Sequence, residues 1–476
     1  MPAHIHTIVQ TVILMNKKTL LSTAIYLADA ALFFAIVLSN LPDLWKVALA
    51  IATIALGGKL LADVHGWKSY FGINIVRGGW GIKAMEKFAA KHAGFARFVA
   101  DVGVGIGYGM IYSLVTFGKK TERKTLAVTL VLSLAFTLLM AAGSFSDQTS
   151  LLSDPRFLVL LACGIAGGLA FQSIALLVIS AINILTVPNA PAGAQLLIVG
   201  VTVPWEWVFG LVIAATIHEF AHGILCRAEK LRVLGSGTIL WGFLPVGAFV
   251  EPDEERFKHL ALEKKRRILS AGPAANLLAF IAFTMLSMGF AAVAGPIYAD
   301  MSAVKVLSVN TTAYPGSSQL AAGDIITSVD GERIVGISGL AAALSEKTQG
   351  DTMTLSTQEG YKTVTIGKNN KLGISVLPAA TVGNELVFAI LGFIMTVLAS
   401  TAYINVAIGA INLVPLFVTD GARIISEELN AGLSGMLGKK RGLPIAARLS
   451  FLASLAALLL IAVNLALPTV LRALAA

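Results

Sequence analysis

Apolar runs of about 20 residues recur nine times along this chain, near residues 20–40, 45–63, 97–117, 125–145, 156–186, 204–226, 268–293, 383–412 and 445–472. At about 1.5 Å of rise per helical residue, a run of that length crosses a hydrocarbon core roughly 30 Å thick. Each run therefore predicts a membrane-spanning helix. Between the seventh and eighth runs the period changes. Residues from about 300 to 379 carry short alternating strands, Asp324–Gly331 and Met353–Ile366, the second folding back on itself at Glu359-Gly360. The pattern predicts a polytopic α-helical membrane protein of about nine spans with a small β-rich domain inserted. Four segments follow: amino-terminal helices over 1–185, a membrane core over 186–299, the β-rich insert over 300–379, and the rest of the membrane core over 380–476.

Composition agrees with a bilayer as solvent: 56% of residues are hydrophobic, 13% are charged, and mean hydropathy is +0.79. The net charge of +9 would suggest nucleic acid in a soluble chain. Here the basic residues fall in loops, as topology signals do, so lipid is the expected partner and nucleic acid is not. The loop from Arg227 to Arg267 and the one from Arg423 to Arg448 are the most basic and are expected in the cytoplasm, together with the loop carrying Lys68, Arg77, Lys83, Lys87 and Lys91. This parity places the protein in the cytoplasmic membrane with its β-rich insert outside. The loop Lys119–Lys124 goes against the rule. Lys17 and Lys18 before the first span read as a signal anchor. Cys163 and Cys226 sit in or at the end of apolar runs and indicate neither a disulfide nor a thiolate metal site.

The chemistry is concentrated in the sixth run, where His218-Glu219-Phe220-Ala221-His222 lies among apolar neighbours. Residues i and i+4 share a helix face, so the two imidazoles can hold one Zn²⁺ while Glu219 serves as general base toward the attacking water. Ionisable groups in a span cost roughly 2.5–3.5 kcal/mol each on insertion scales and are retained mainly for function. Asp420 is the expected third ligand, because Pro415 should unwind the end of the eighth run and present it at membrane depth. Asn276 is the expected amide for the substrate strand or the developing oxyanion, with Asn412 ranked behind it. Pro204, Trp205 and Trp207 suit the outer interface, so His218, about 20 Å further in, should lie nearer the cytoplasmic face. The stretch Ala194–Val203 and the loop Gly235–Phe249 are β-prone and offer an edge for an extended strand. Asp29 and Asp101 are expected to play structural parts, and residues 1–185 carry no motif tied to chemistry.

These residues carry two resemblances. The run from Tyr314 to Gly331 resembles a PDZ domain, which would bind an extended peptide end by strand addition. From about residue 186 onward the chain resembles a site-2 protease, an intramembrane zinc metalloprotease, and looks most like its archaeal branch. The resemblance rests on the histidine motif, Gly272-Pro273-Ala274-Ala275-Asn276, the Asn412–Gly421 segment, and a single PDZ-like insert between the last two. Phe417 and Thr419 stand where many members have a proline and a leucine. The resemblance implies zinc held by His218, His222 and Asp420, Glu219 as the base, and single-span membrane proteins as substrates for regulated intramembrane proteolysis. Two other readings stand beside it: a prenyl-protein-type membrane zinc peptidase, and a transporter or receptor that binds metal without catalysis.

Overall fold

The computed structural model describes residues 2–37, 39, 41–79, 81–117, 123–143, 153–187, 190, 193–194 and 202–475. Among them, nine helices are long and apolar enough to cross a membrane, from Lys17–Ile36 to Lys439–Leu471. The chain is a multi-pass membrane protein. It divides into two compact units, Met1–Ile281 with Thr401–Ala476, and Ala282–Ser400.

The first unit opens with α1 (Pro2–Val37) and α2 (Asp43–His65), a short hairpin of β1 (Ser69–Tyr70) and β2 (Ile73–Gly78), and then α3 (Ile82–Phe117), α4 (Arg123–Gly143) and α5 (Pro155–Thr186). It continues with α6 (Trp207–Ala228), the long hairpin β3 (Val233–Trp241) and β4 (Leu244–Pro252), the short α7 (Glu254–Lys258), and the start of α8 (Leu262–Met301). The loop expected between the second and third spans is thus partly a β-hairpin. Lys83, Lys87 and Lys91 lie on α3, which starts well before the apolar run because its first turns are amphipathic. The Gly235–Phe249 expectation held: β3 and β4 pair with Ile239 opposite Gly247, and β2 joins β3 with Ile73 opposite Trp241. The four strands form one antiparallel sheet in the order β1-β2-β3-β4, with β4 at an edge. Residues 119–122 of the anomalous basic loop, and 195–201 of the other β-prone stretch, lie outside the described residues.

Two membrane helices are broken, which their apolar runs did not reveal. Gly109 in α3 (φ +86°) and Gly168 in α5 (φ +66°) take a backbone conformation that side-chain-bearing residues avoid. The two breaks face each other, since a Cβ on Gly109 would come within 2.5 Å of Gly168 N. Carbonyls near the break find partners in hydroxyls, Ser113 Oγ donating to Gly109 O at 2.8 Å and Ser133 Oγ to Gly105 O at 3.2 Å. In lipid, that repair is obligatory.

The second unit begins within α8. It holds β5 (Ser302–Val309), β6 (Ile325–Val329), β7 (Glu332–Arg333), α9 (Gly336–Ser345), β8 (Thr352–Thr357), β9 (Gly360–Thr365) and β10 (Ile374–Ala380), and then most of α10 (Glu385–Ile411). The strands form an antiparallel sheet, β10-β5-β6-β8-β9 with β7 beside β6, over a core of Val304, Val306, Ile326, Met353, Leu355 and Val364. The β8–β9 turn falls at Gln358-Glu359, with Thr357 paired to Gly360. From Thr401, within α10, the chain is back in the first unit, and it continues through an irregular segment, 412–419, to α11 (Asp420–Leu437) and α12 (Lys439–Ala475).

Gly168→Ala should lower stability by about 2 kcal/mol or more, because the methyl is strained by the positive φ and meets the α3 backbone. Gly94→Ala, with open space around it on α3, is the control and should be neutral or slightly stabilising. Denaturant midpoints in detergent compare the two.

Candidate metal centre

Three elements converge on one point. α6 places His218 and His222 one turn apart, α11 begins at Asp420, and α8 passes behind both imidazoles. His218 Nε2 and His222 Nε2 lie 3.1 Å apart, and Asp420 Oδ2 is 3.1 Å from the first and 3.2 Å from the second. The other ring nitrogens fix the tautomers. His218 Nδ1 sits 2.6 Å from Asn276 Oδ1 and His222 Nδ1 sits 2.7 Å from the carbonyl of Ile268, both pure acceptors, so both Nδ1 atoms carry the proton. Each Nε2 then turns a lone pair toward the other and toward a carboxylate oxygen. That arrangement is repulsive unless a proton or a metal cation sits among the three atoms.

The donor set fits zinc. Ligand distances near 2.0–2.2 Å in a tetrahedron separate neighbouring ligand atoms by roughly 3.3 Å, close to the spacings found. Gly272 leaves the room required, for a Cβ there would stand 2.5 Å from the Nε2 atoms of both histidines. The glycine of the Gly272–Asn276 motif therefore has a steric task that its sequence only hinted at.

Asn276 is fully buried, and its amide is used up. Beyond accepting from His218, it donates to Ala214 O at 3.0 Å and to Asn405 Oδ1 at 2.7 Å, and Asn405 donates in turn to Thr401 O at 2.8 Å. Such a partner holds a ligating imidazole in orientation. Asn412, ranked second in sequence, borders a cavity of about 340 Å³ that also receives both histidines, Glu219 and Asp420; Asn276 does not border it. Asn405 and the Ile268 carbonyl were missed because neither a lone asparagine nor a backbone oxygen leaves a sequence signal.

Asp420 is delivered by the helix interruption that Pro415 foreshadows. Thr419 caps α11, its Oγ1 accepting from Ala422 N at 3.3 Å and donating to Val414 O at 2.6 Å, while Gly421 N bonds Asn412 O at 2.7 Å. The residue departing from the usual pattern thus closes the loop as an N-cap. Its place in the first turn of α11 favours the anion.

Glu219 points into the same cavity and accepts from Val250 N of β4 at 3.0 Å. The base candidate is thereby tied to the edge strand of the four-stranded sheet. The cavity wall is otherwise mostly apolar, with Ala215, Ile408 and Leu269 among its residues and Arg423 as a cation beside them.

Support for the site comes from α3, to which the sequence assigned no chemistry. Gly103 lets Ala274 of α8 approach, Gly107 accommodates Leu413, and Gly223 of α6 accommodates Met85, each contact too close for an added Cβ. Asp101 forms a two-pronged pair with Arg267, at 2.8 Å on each prong, and Arg97 pairs with the buried Glu229 at 2.7 Å. The structural part expected of Asp101 is borne by that pair.

Residues 206–458, just over half of the chain, match peptidase family M50. Over 246 residues the chain is 30% identical to the uncharacterized protein MJ0971 of Methanocaldococcus jannaschii, an overlap covering 50% of this chain and 61% of that protein. The chain thus spans about three fifths of that relative's length.

Metal analysis of purified His218→Ala, His222→Ala and Asp420→Ala proteins should show zinc reduced in each. Asn276→Leu should keep the fold but weaken zinc affinity about 10- to 100-fold, read by competition with a chelator. Full zinc affinity in that protein would remove Asn276 from the support of His218.

Proposed function

The chain belongs to peptidase family M50, and on that premise we propose that it is a membrane metalloprotease, an intramembrane zinc endopeptidase that cuts membrane-spanning segments of other proteins. The observation that carries the proposal is the closure of His218, His222 and Asp420 to within 3.2 Å at a helix long and apolar enough to span a bilayer, with Glu219 alongside. A bound zinc ion would polarise the scissile carbonyl and acidify a water molecule. Glu219 takes the proton of that water and returns it to the leaving amine. Val250 N–H steadies Glu219 while it waits, and Asn412 is the amide available to the substrate backbone at the cavity wall.

A substrate helix must unwind locally, because its carbonyls are already hydrogen-bonded and sterically shielded. The outer edge of β4, on which no strand is paired among the described residues, offers the unwound strand a partner beside Glu219. Loop charges favour a site nearer the cytoplasmic face, with the PDZ-like domain on the extracytoplasmic side of the cell membrane. There it screens substrates and takes an extended peptide end, and single-span proteins with short or trimmed outer parts are the expected clients. A prenyl-protein-type peptidase is disfavoured by Asp420 as third ligand and by the inserted β-rich domain. A metal-binding transporter or receptor would have no need of Glu219.

Glu219→Gln should keep zinc and substrate binding and lose cleavage by roughly 10²–10⁴-fold, measured on a single-span substrate in detergent or liposomes. Undiminished proteolysis would sink the mechanism. Replacing residues 303–378 by a short flexible linker should leave zinc and cleavage of a truncated substrate intact while relaxing discrimination against substrates with bulky outer domains. An unchanged preference would make the domain a spacer.

A further inference from the structure

Asp29 is an ionisable side chain within the apolar part of α1, 6% exposed. Carboxylates in such surroundings are expensive and normally have work to do. Asp29 Oδ2 accepts from the backbone N–H of Phe243, in the tight turn joining β3 to β4, at 3.2 Å. The pocket around it is cut to size: a Cβ on Gly57 of α2 would stand 2.1 Å from Oδ2, and one on Gly242 of the turn 2.6 Å. The same turn is gripped from other sides. Gly242 N donates to Gly72 O at 3.3 Å, Trp241 Nε1 donates to Phe71 O at 3.1 Å, and the Phe33 ring packs edge-on against Phe243 at 5.5 Å.

The turn lies at one end of β4, and the hydrogen bond from Val250 to Glu219 lies toward the other, about 20 Å along the strand. β4 is fastened at both places and, among the described residues, has no strand on its outer edge. The fastening at the turn comes from α1, α2 and the β1–β2 hairpin, all outside the residues that match the peptidase family. We propose that Asp29 is a positioning residue for proteolysis, pinning the β3–β4 turn so that the β4 edge meets an incoming peptide in one register relative to Glu219. The proposal rests on the proteolytic reading above, and it gives the amino-terminal helices a task in choosing the bond that is cut.

The test uses the full-length protein in liposomes with a single-span substrate, comparing wild type with Asp29→Leu, Gly57→Ala and Asp29→Asn. Four quantities are read: zinc content, hydrogen exchange of the Trp241–Val250 amides, kcat and KM, and the cleaved bonds by mass spectrometry. Asp29→Leu loses the acceptor, and Gly57→Ala pushes the carboxylate off its place. Both should keep zinc, exchange faster at the turn, scatter cleavage over neighbouring bonds, and lose about 10- to 100-fold in kcat with a smaller change in KM. Asp29→Asn retains a carbonyl oxygen for Phe243 N–H and should recover a single cleaved bond and most of the rate. Cleavage at one bond with wild-type kcat in both Asp29→Leu and Gly57→Ala overturns the proposal. So does faster exchange throughout the protein with zinc lost in both, which is a fold defect. If wild type cleaves nothing, the proteolytic reading fails and positioning for proteolysis fails with it. Turn exchange then separately decides whether Asp29 pins the hairpin.

Discussion

Two imidazole lone pairs 3.1 Å apart, with a carboxylate oxygen completing the triangle, are a source of repulsion that the rest of the membrane core is built to hold in place. In the neutral rings the one N–H proton of each is turned elsewhere, to Asn276 Oδ1 and to the Ile268 carbonyl. A bound metal cation relieves that repulsion, in competition with protonation of the imidazoles. Several features answer to this constraint: a glycine at 272 where any side chain would strike both histidines, a saturated amide network behind His218, and an eight-residue break in an otherwise helical path that brings Asp420 to the centre.

The break is expensive in lipid, since unwound backbone needs partners that water cannot supply. Thr419 supplies them, serving the Val414 carbonyl and the amides of Leu416 and Ala422 with one hydroxyl, and Tyr108 of α3 reaches the Leu413 carbonyl at 3.2 Å. α3 therefore belongs to the working core although it lies outside the family match. Its spaced glycines allow backbone-close packing on α8 and on the Asp420 loop, and its ion pairs fasten the ends of α6 and α8. Van der Waals contact between small residues is the ordinary adhesive between helices in a bilayer, where no hydrophobic drive remains to hold them.

What sequence could convey follows from the range of each signal. His218, Glu219 and His222 were legible because their geometry is set by four residues of helix, and Asp420 because a proline in an apolar run announces the unwinding that presents it. The β-prone character of Gly235–Phe249 was legible but not its folding into the β3–β4 hairpin, and the β8–β9 turn was read one residue late, at Glu359-Gly360 instead of Gln358-Glu359, because alternation marks strands more sharply than their ends. Asn276 was found but cast for the substrate, since a buried carboxamide near a metal serves a ligand or a substrate equally well and only the partner of its Oδ1 separates the two. The breaks at Gly109 and Gly168 were hidden because each makes sense only against the other, across about 60 residues of chain. The worth of α3 was hidden for the same reason, its contacts with Leu413 spanning some 300 residues.

An edge strand raises a difficulty at membrane depth that it does not raise in water, because each outward N–H lacking a partner is costly there. The β3–β4 turn is packed against α1 within its apolar span, so this sheet faces that difficulty directly. Two carboxylates answer it, Asp29 for the amide of Phe243 and Glu219 for the amide of Val250. The second of these is also the candidate base, so one hydrogen bond both caps the strand and restrains that carboxylate. On the proteolytic reading proposed above, a peptide carbonyl that takes the Val250 N–H for itself releases Glu219, which already lines the cavity. The edge and the candidate base are in this way joined by a single hydrogen bond.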